Sequence, residues 1–107
     1  MGALLIDMTG GEVQLWKELH GMPNRILPGG HLIGSTGERS TAFGSQDGID
    51  LVQVDWDGNI VWRFDDPWIH HDYQRMPHGN TLIVKWVPLP KRFIRKVKRG
   101  YSNKDDD

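Results

Sequence analysis

The sequence contains no cysteine, so a disulfide framework and a thiolate metal site are both excluded. It also has no run of about 18 apolar residues, the length expected of a membrane-spanning helix. The first residues, MGALLIDMTGGE, lack a basic region, and their apolar stretch is too short for a signal peptide. The sequence therefore predicts no membrane span and leaves the localisation unknown.

An excess of charge of one sign is also absent, since the 107 residues carry a formal net charge of −1. Residues 1–90 contain 6 Lys+Arg against 11 Asp+Glu, whereas residues 91–107 contain 7 against 3. The acidic body lacks the basic surface that nucleic-acid binding requires, so we expect no nucleic-acid partner. The length suits one small domain.

Short β-forming runs separated by turn residues dominate the chain up to about residue 86. The runs are ALLID, VQLWKEL, RIL, HLIGST, DLVQVDW, IVWRF, HHDYQRM and TLIVKW. Asp57-Gly58 and His78-Gly79 lie between such runs and are typical of hairpin turns. We therefore predict hairpins over 51–64 and 70–86 within one continuous antiparallel sheet.

The runs form two repeats with the same order of features. The matched pairs, 46 to 50 residues apart, are Asp7 with Asp55, Trp16 with Trp62, Pro28 with Pro77, and Leu32-Ile33 with Leu82-Ile83. About four strands at such a period are typical of β-propeller blades. We therefore predict an all-β chain of two antiparallel four-stranded β-propeller-type blades, at about 1–36 and 49–87. Trp16 and Trp62 are expected at equivalent, largely buried positions.

A propeller has about four to eight blades around a channel. Two blades are therefore expected to be a fragment of a propeller, and the remaining blades or another copy of the chain are needed to close the sheet. Residues 88–107 read as a Pro-rich link, a short basic helix and a polar tail. Phe93, Ile94 and Val97 have helical spacing, with Gly100 as the stop. This helix either binds an anionic surface or packs its apolar residues on a blade edge, and we favour the second alternative.

Residues 69–84, IHHDYQRMPHGNTLIV, carry the side chains of greatest chemical interest. Neighbours on a strand point to opposite faces, so His70 and His71 are not expected to act as a chelating pair. No third ligand has metal-site spacing, and we predict no metal. A neutral imidazole is a nucleophile near pH 7 and an imidazolium binds anions. A purely structural role for the two histidines is the alternative.

Two further side chains near the histidines are candidates for contact with a ligand. Arg75 lies four residues after His71, so it is expected on the same strand face, either as an anion clamp or as a solvated or inter-blade arginine. Trp68 is expected to form an aromatic wall beside His70. Each has a structural alternative, since tryptophans in such repeats commonly belong to the core.

VDWDGNIVWRF, HHDYQRMPHGNTLIV and WVPLPK together resemble the bacterial arylsulfotransferase family, over most of residues 3–92. The resemblance implies a β-propeller and transfer of a sulfuryl group from an aryl sulfate to a phenolic acceptor through a histidine, without a cofactor. It implies catalytic roles for His71 and His70, and substrate contacts from Asp72, Arg75 and Trp68. His78 departs from the asparagine usual in that turn, and relatives continue beyond the Pro-Leu-Pro-Lys segment.

The resemblance gives the first functional hypothesis, an incomplete and inactive portion of an arylsulfotransferase-like enzyme that takes an aryl sulfate or phenolic small molecule. The second hypothesis is a non-catalytic β-propeller module that binds or scaffolds other proteins. Further blades with their own channel histidine and arginine residues would favour the enzyme.

Overall fold

A computed structural model describes residues 2–37 and 48–97. Within these ranges the chain forms strands and one short helix, all joined by turns or brief loops. The elements are β1 (Ala3–Ile6), β2 (Glu12–Trp16), β3 (His20–Ile26), β4 (Leu32–Ser35), β5 (Asp50–Val54), β6 (Ile60–Asp65), β7 (Ile69–Arg75), β8 (Thr81–Lys85) and α1 (Lys91–Ile94). The expectation of a mainly β chain is confirmed for the described residues. None of their helices is long and apolar enough to cross a membrane.

Four hairpins, β1–β2, β3–β4, β5–β6 and β7–β8, close with the same turn. In β5–β6 the Gly58 N–H donates to the Asp55 carbonyl at 3.1 Å, and the Asp55 N–H donates to the Asn59 carbonyl at 2.9 Å. Equivalent bonds close the turns that begin at Asp7, Leu27 and Met76. The fourth turn residue is always a glycine of positive φ, a backbone that other residues seldom adopt. The turns predicted at Asp57-Gly58 and His78-Gly79 are therefore confirmed.

The strands are arranged in three open antiparallel sheets, β1–β2, β3–β4–β5–β6 and β7–β8. The expected division into four-stranded units at 1–36 and 49–87 does not match this arrangement. The four-stranded sheet joins the second half of the first repeat to the first half of the second. The predicted hairpins over 51–64 and 70–86 both form, but they belong to different sheets, so the prediction of one continuous sheet is wrong.

The pairing of β4 with β5 explains the difference. Leu32 lies opposite Val54 and Gly34 opposite Val52, so the strands before and after the Gly/Ser-rich stretch are hydrogen-bonded neighbours. Every residue of β4 is buried, and so is every residue of β5 except Gln53. Burial on both faces is expected of central strands. The Gly/Ser-rich stretch therefore connects two strands of one sheet instead of separating two units.

The two tryptophans that were expected to be equivalent are not. Trp16 lies opposite Ala3 in β1–β2, and Phe64 lies opposite Leu51 in β5–β6. A constant offset of 48 residues therefore equates Trp16 with Phe64 and not with Trp62. Trp16 is 1% exposed because the four-stranded sheet covers it, whereas Trp62 is 36% exposed on the edge strand β6. The prediction that both are largely buried is wrong.

Two apolar clusters hold the sheets together, one on each face of the four-stranded sheet. The first cluster joins β1–β2 to it and comprises Ala3, Trp16, Leu19, Leu32, Val52 and Val54. The second joins β7–β8 to the opposite face and comprises Ile33, Leu51, Ile69 and Tyr73. The order of layers is therefore β1–β2, the four-stranded sheet, then β7–β8.

Helix α1 is shorter than the apolar spacing predicted. It follows Pro90, ends within four residues and leaves Val97 outside it. Phe93 and Val97 are exposed, so these two side chains do not pack on a sheet edge as expected. The predicted stop, Gly100, lies outside the described residues.

Candidate functional site

The first residues of β7 depart from regular strand geometry at His71. Its φ is 61°, a positive value found at no other non-glycine position in 2–37 and 48–97. The pairing of β7 with β8 is also irregular between Ile69 and Tyr73. A histidine in this left-handed region is uncommon and costs on the order of 1 kcal/mol, so the surrounding contacts must hold it there.

The positive φ of His71 brings the two imidazoles together. The Nδ1 atoms of His70 and His71 are 2.7 Å apart, and the rings meet edge to face with centroids separated by 4.9 Å. The expectation that these side chains point to opposite faces is therefore wrong, because it assumed a regular strand. A hydrogen bond at this distance requires one Nδ1 to carry a proton and the other to accept it.

An aromatic ring lies against His70, and it belongs to Trp86. The two rings stack with centroids 4.5 Å apart and planes inclined by 27°. Trp68 is exposed; its carbonyl accepts a hydrogen bond from the Trp86 N–H at 2.9 Å. Both tryptophans therefore border the histidine pair from neighbouring strand ends.

A buried carboxylate fixes the turn that leads into β7. Asp66 accepts a hydrogen bond from the Trp68 N–H at 2.9 Å and forms an ion pair with the Lys85 ammonium group. The hydrogen bond from Lys85, followed by that from Trp68, holds the pKa of the Asp66 carboxyl below its usual range. This link ties the start of β7 to the end of β8, on either side of the histidine pair.

Asp72 forms an ion pair with Arg25 of β3, with Oδ1 2.6 Å from Nη2. The same guanidinium donates to the Tyr73 carbonyl and lies over the Tyr73 ring, 5.0 Å from its centroid. Asp72 is therefore engaged in binding an arginine of the neighbouring sheet. As a result, the acidic residue after the histidine pair braces β7 against β3.

Tyr73 is the best-buried polar side chain of β7. Its hydroxyl lies 2.6 Å from the Pro23 carbonyl oxygen and within hydrogen-bond distance of the Ile33 carbonyl oxygen. Burial raises the pKa of the Tyr73 hydroxyl to about 12, with the Arg25 charge acting in the opposite direction. Tyr73 thus anchors β7 on both β3 and β4.

Arg75 occupies a different environment from the histidines. It lines an open groove of about 570 Å³ between β3 and β7, together with Arg25 and Tyr73. The Arg75 guanidinium lies 5.0 Å from the centroid of the Trp62 ring, and its Nε is buried without a hydrogen-bond partner. Neither histidine lines this groove, so the described residues do not bring Arg75 and His71 into one site.

Two polar residues that the sequence left unmarked are central to the structure. Arg25 lies in the groove and contacts Asp72 from 47 positions away. Asp50 is buried and accepts hydrogen bonds from Ser35 at 3.0 Å and Arg63 at 2.8 Å. The residue pattern contains no local signal for either contact, since both partners are distant in sequence. Asp50 lies at the start of a strand, a position where carboxylates are also common at turns.

The described residues contain no group of three or more His, Asp or Glu side chains arranged to hold a metal ion. No protein-family model, curated protein or solved structure matches this chain. Function must therefore be argued from the geometry of the described residues.

Proposed function

We propose that the chain supplies one histidine-bearing strand to an arylsulfotransferase-like β-propeller, a site that is completed by further strands. The observation that carries the proposal is the His70–His71 pair, with Nδ1 atoms 2.7 Å apart and a left-handed backbone at His71. Strained backbone of this kind is concentrated at functional sites. The aromatic ring of Trp86, stacked on His70, is compatible with an aryl ligand.

The hydrogen bond between the rings selects a tautomer suited to nucleophilic attack. When His71 Nδ1 carries the shared proton, its Nε2 is unprotonated and holds a lone pair. In the proposed first step, His71 Nε2 attacks the sulfur of an aryl sulfate, an N–S bond forms, and the S–O bond to the aryl group breaks. The phenolate leaves with the electron pair of that bond.

In the second step the oxygen of a phenolic acceptor attacks the sulfur and the N–S bond breaks. The acceptor's proton neutralises the phenolate released in the first step, so no cofactor is required. Trp68 and Trp86 would flank the aryl group. Arg25 and Arg75 supply positive charge in the groove between β3 and β7, where a second anionic or aromatic ligand can bind.

The chain on its own is expected to be inactive. A sulfuryl group in transfer needs cationic donors from more than one direction. The offset of 49 residues between β3–β4 and β7–β8 places Gly21 and Met22 opposite the two histidines in the repeat, so β3 has no equivalent pair. The missing donors must come from strands beyond the eight described.

A second candidate function, a non-catalytic scaffold module, is favoured by a separate observation. The outer faces of both end sheets expose apolar side chains, among them Leu4 and Ile6 on β1 and Leu82 and Val84 on β8. Contiguous apolar surface of this kind marks protein contacts. In this alternative the histidine pair has only a structural role.

The test is a sulfotransfer assay with 4-nitrophenyl sulfate as donor and phenol as acceptor, on the longest protein that contains this segment. We expect turnover there and none from the 107-residue chain as a monomer. Replacing His71 with alanine should lower turnover by about 10²-fold or more, the scale for losing a key catalytic group.

His78→Ala is the matched control, because His78 is an exposed histidine of the β7–β8 turn, outside the pair. It should leave turnover unchanged. Unimpaired turnover in His71→Ala would remove His71 from the site, and absence of turnover from the longer protein would favour the scaffold function. Robust turnover by the monomeric chain would refute the need for further strands.

A further inference from the structure

The hairpins at the two ends of the described fold are the two halves of a four-stranded sheet. Hairpin β1–β2 reproduces β5–β6 at an offset of 48, including a register irregularity at the same point of each. Hairpin β7–β8 reproduces β3–β4 at an offset of 49 next to the turn. In the middle sheet, β4 and β5 are hydrogen-bonded, so the equivalent strands β8 and β1 are each built to pair with the other.

Within one chain that pairing is impossible, because β1–β2 and β7–β8 lie on opposite faces of the four-stranded sheet. Among the described strands, none pairs with the second edge of β8 or of β1. Exposed strand edges of this kind recruit another strand. A second copy of the chain offers a β1 strand that has the required sequence register.

We propose that β1 of a second copy pairs antiparallel with β8 and completes a sheet of order β7–β8–β1–β2 across the two copies. The register follows from β4–β5, where Leu32 lies opposite Val54 and Ile33 opposite Gln53. The offsets of 49 and 48 convert these pairs into Thr81 opposite Ile6 of the second copy, and Leu82 opposite Leu5. The proposal is independent of sulfuryl transfer.

Side-chain exposure on the middle sheet supports the same arrangement. Trp16 and Phe64 are equivalent, yet Trp16 is 1% exposed and Phe64 is 40% exposed. Trp16 is covered because the outer strands of the next sheet lie over it. Phe64 is uncovered because β7–β8 supplies only the inner half of the next sheet. The β1–β2 hairpin of a second copy would supply the outer half and cover Phe64.

The exposed apolar residues of the end hairpins lie on the faces that this assembly buries. Leu4 and Ile6 are the equivalents of Val52 and Val54, which belong to the first core cluster. Leu82, which is 66% exposed, is the equivalent of Ile33 in the second cluster. Each exposed residue therefore has a buried counterpart in the middle sheet, and strand addition places it in the same environment.

Successive copies related in this way are joined head to tail, an arrangement that closes into a ring when the rotation between copies allows. Each copy contributes eight described strands, equal to two four-stranded sheets. A ring of about four to eight such sheets, the range for propellers, needs two to four copies.

Light scattering during size-exclusion chromatography tests the assembly directly. We expect a mass of two to four times the 12.2 kDa of one chain. Leu4→Glu and Leu82→Glu should each weaken self-association by about 100-fold or more, because each places an unpaired charge in the buried contact. Both side chains are exposed in the single chain, so neither change should unfold it. Met8→Glu, at a fully exposed turn position, is the matched control and should leave the mass unchanged.

Engineered disulfides test the register, because the chain has no cysteine of its own. Residues opposite each other on paired strands have Cα separations of about 4.5–5.5 Å, within the range that a disulfide spans. The double variant Thr81→Cys, Ile6→Cys should form covalent multimers on oxidation. The variant Leu82→Cys, Ile6→Cys should not, because a shift of one residue turns the side chains to opposite faces.

Two results would overturn the proposal. One is a mass of 12.2 kDa at every concentration, which would make additional strands of a longer protein the partner of β8. The other is an assembly whose mass neither glutamate variant reduces, which would place the contact elsewhere. Equal cross-linking of the two cysteine pairs would refute the register.

Discussion

His71 is held in a backbone conformation that its residue type does not favour. The residue before it and the residue after it are both engaged, His70 with the Trp86 ring and Asp72 with Arg25. These contacts fix the backbone on both sides and leave His71 with a φ of 61°. The position is therefore one where a side chain has been kept despite a backbone that suits glycine.

At position 71 we expect His71→Gly to be more stable than His71→Ala by about 1 kcal/mol, because only alanine keeps the left-handed strain. Gln74 is the matched control, an exposed residue of the same strand in regular pairing. There the order should reverse, with glycine about 0.5–1 kcal/mol less stable than alanine. Urea unfolding of the four variants measures both differences. The same order at the two positions would contradict a strained His71.

Tyr73 gives the fold a dependence on alkaline pH. Its folded-state pKa of about 12 lies above the ordinary value of 10.0. Between these two values the unfolded chain loses the phenolic proton while the folded chain keeps it, so the free energy of unfolding falls as pH rises. The contribution is fully present below pH 10 and is lost by about pH 12. It amounts to about 2–3 kcal/mol.

Tyr73→Phe should reduce this alkaline loss, because the group that titrates is gone. At neutral pH it should cost about 1–3 kcal/mol, since a buried carbonyl loses its donor. Urea unfolding at pH 8 to 11.5 compares the two slopes. Tyr101→Phe is the control for the other tyrosine of the sequence. An unchanged slope in Tyr73→Phe would assign the alkaline loss to other groups.

The residue types of the site were predictable from sequence, but their geometry was not. His70, His71 and Asp72 are noticeable in any strand as polar, titratable neighbours. Their arrangement depends on one positive φ, and alternation along a regular strand predicts the opposite. Arg25 reaches Asp72 across 47 positions, a contact that exists only because β3 and β7 lie side by side in different sheets.

Two ion pairs join strands in this fold, and their burial differs sharply. Asp50, at the start of β5, is 1% exposed and links Arg63 of β6 to Ser35 of β4. Asp72 of β7 is half exposed and links only to Arg25. Because water screens the second pair, the element that depends most on an ion pair is the four-stranded sheet.

We expect Asp50→Ala to destabilise the chain by about 2–4 kcal/mol, because it leaves the Ser35 hydroxyl and Arg63 without their acceptor. Asp72→Ala should cost less than about 1 kcal/mol, the usual value of an exposed pair. Thermal or urea unfolding at pH 7 and low salt compares the two. Equal costs would mean that Asp50 contributes through its position in the strand and not through its hydrogen bonds.

The whole molecule shows why a repeat can be recognised from sequence while its sheets are misplaced. A period of 48 or 49 residues describes every possible cut of the repeat equally well. The cut at the Gly/Ser-rich stretch was chosen because glycine and serine favour linkers, yet β4 and β5 pair across it. The offset between Trp16 and Trp62 failed for a related reason, since shared residue type was preferred over constant spacing. Hydrogen-bond register, which sequence does not display, decides both questions.

The last expectation concerns the stability of the whole molecule. If β1 of a second copy completes the β7–β8 sheet, the assembled state is favoured by mass action, and the unfolding temperature must rise with protein concentration. Each tenfold increase adds about 1.4 kcal/mol per association step, which corresponds to a rise of several degrees for a domain of this size. Calorimetry from micromolar to millimolar concentration measures it. Met8→Glu should keep the dependence and Leu82→Glu should abolish it. An unfolding temperature independent of concentration in the unmodified chain would show that the exposed edge of β8 does not recruit β1.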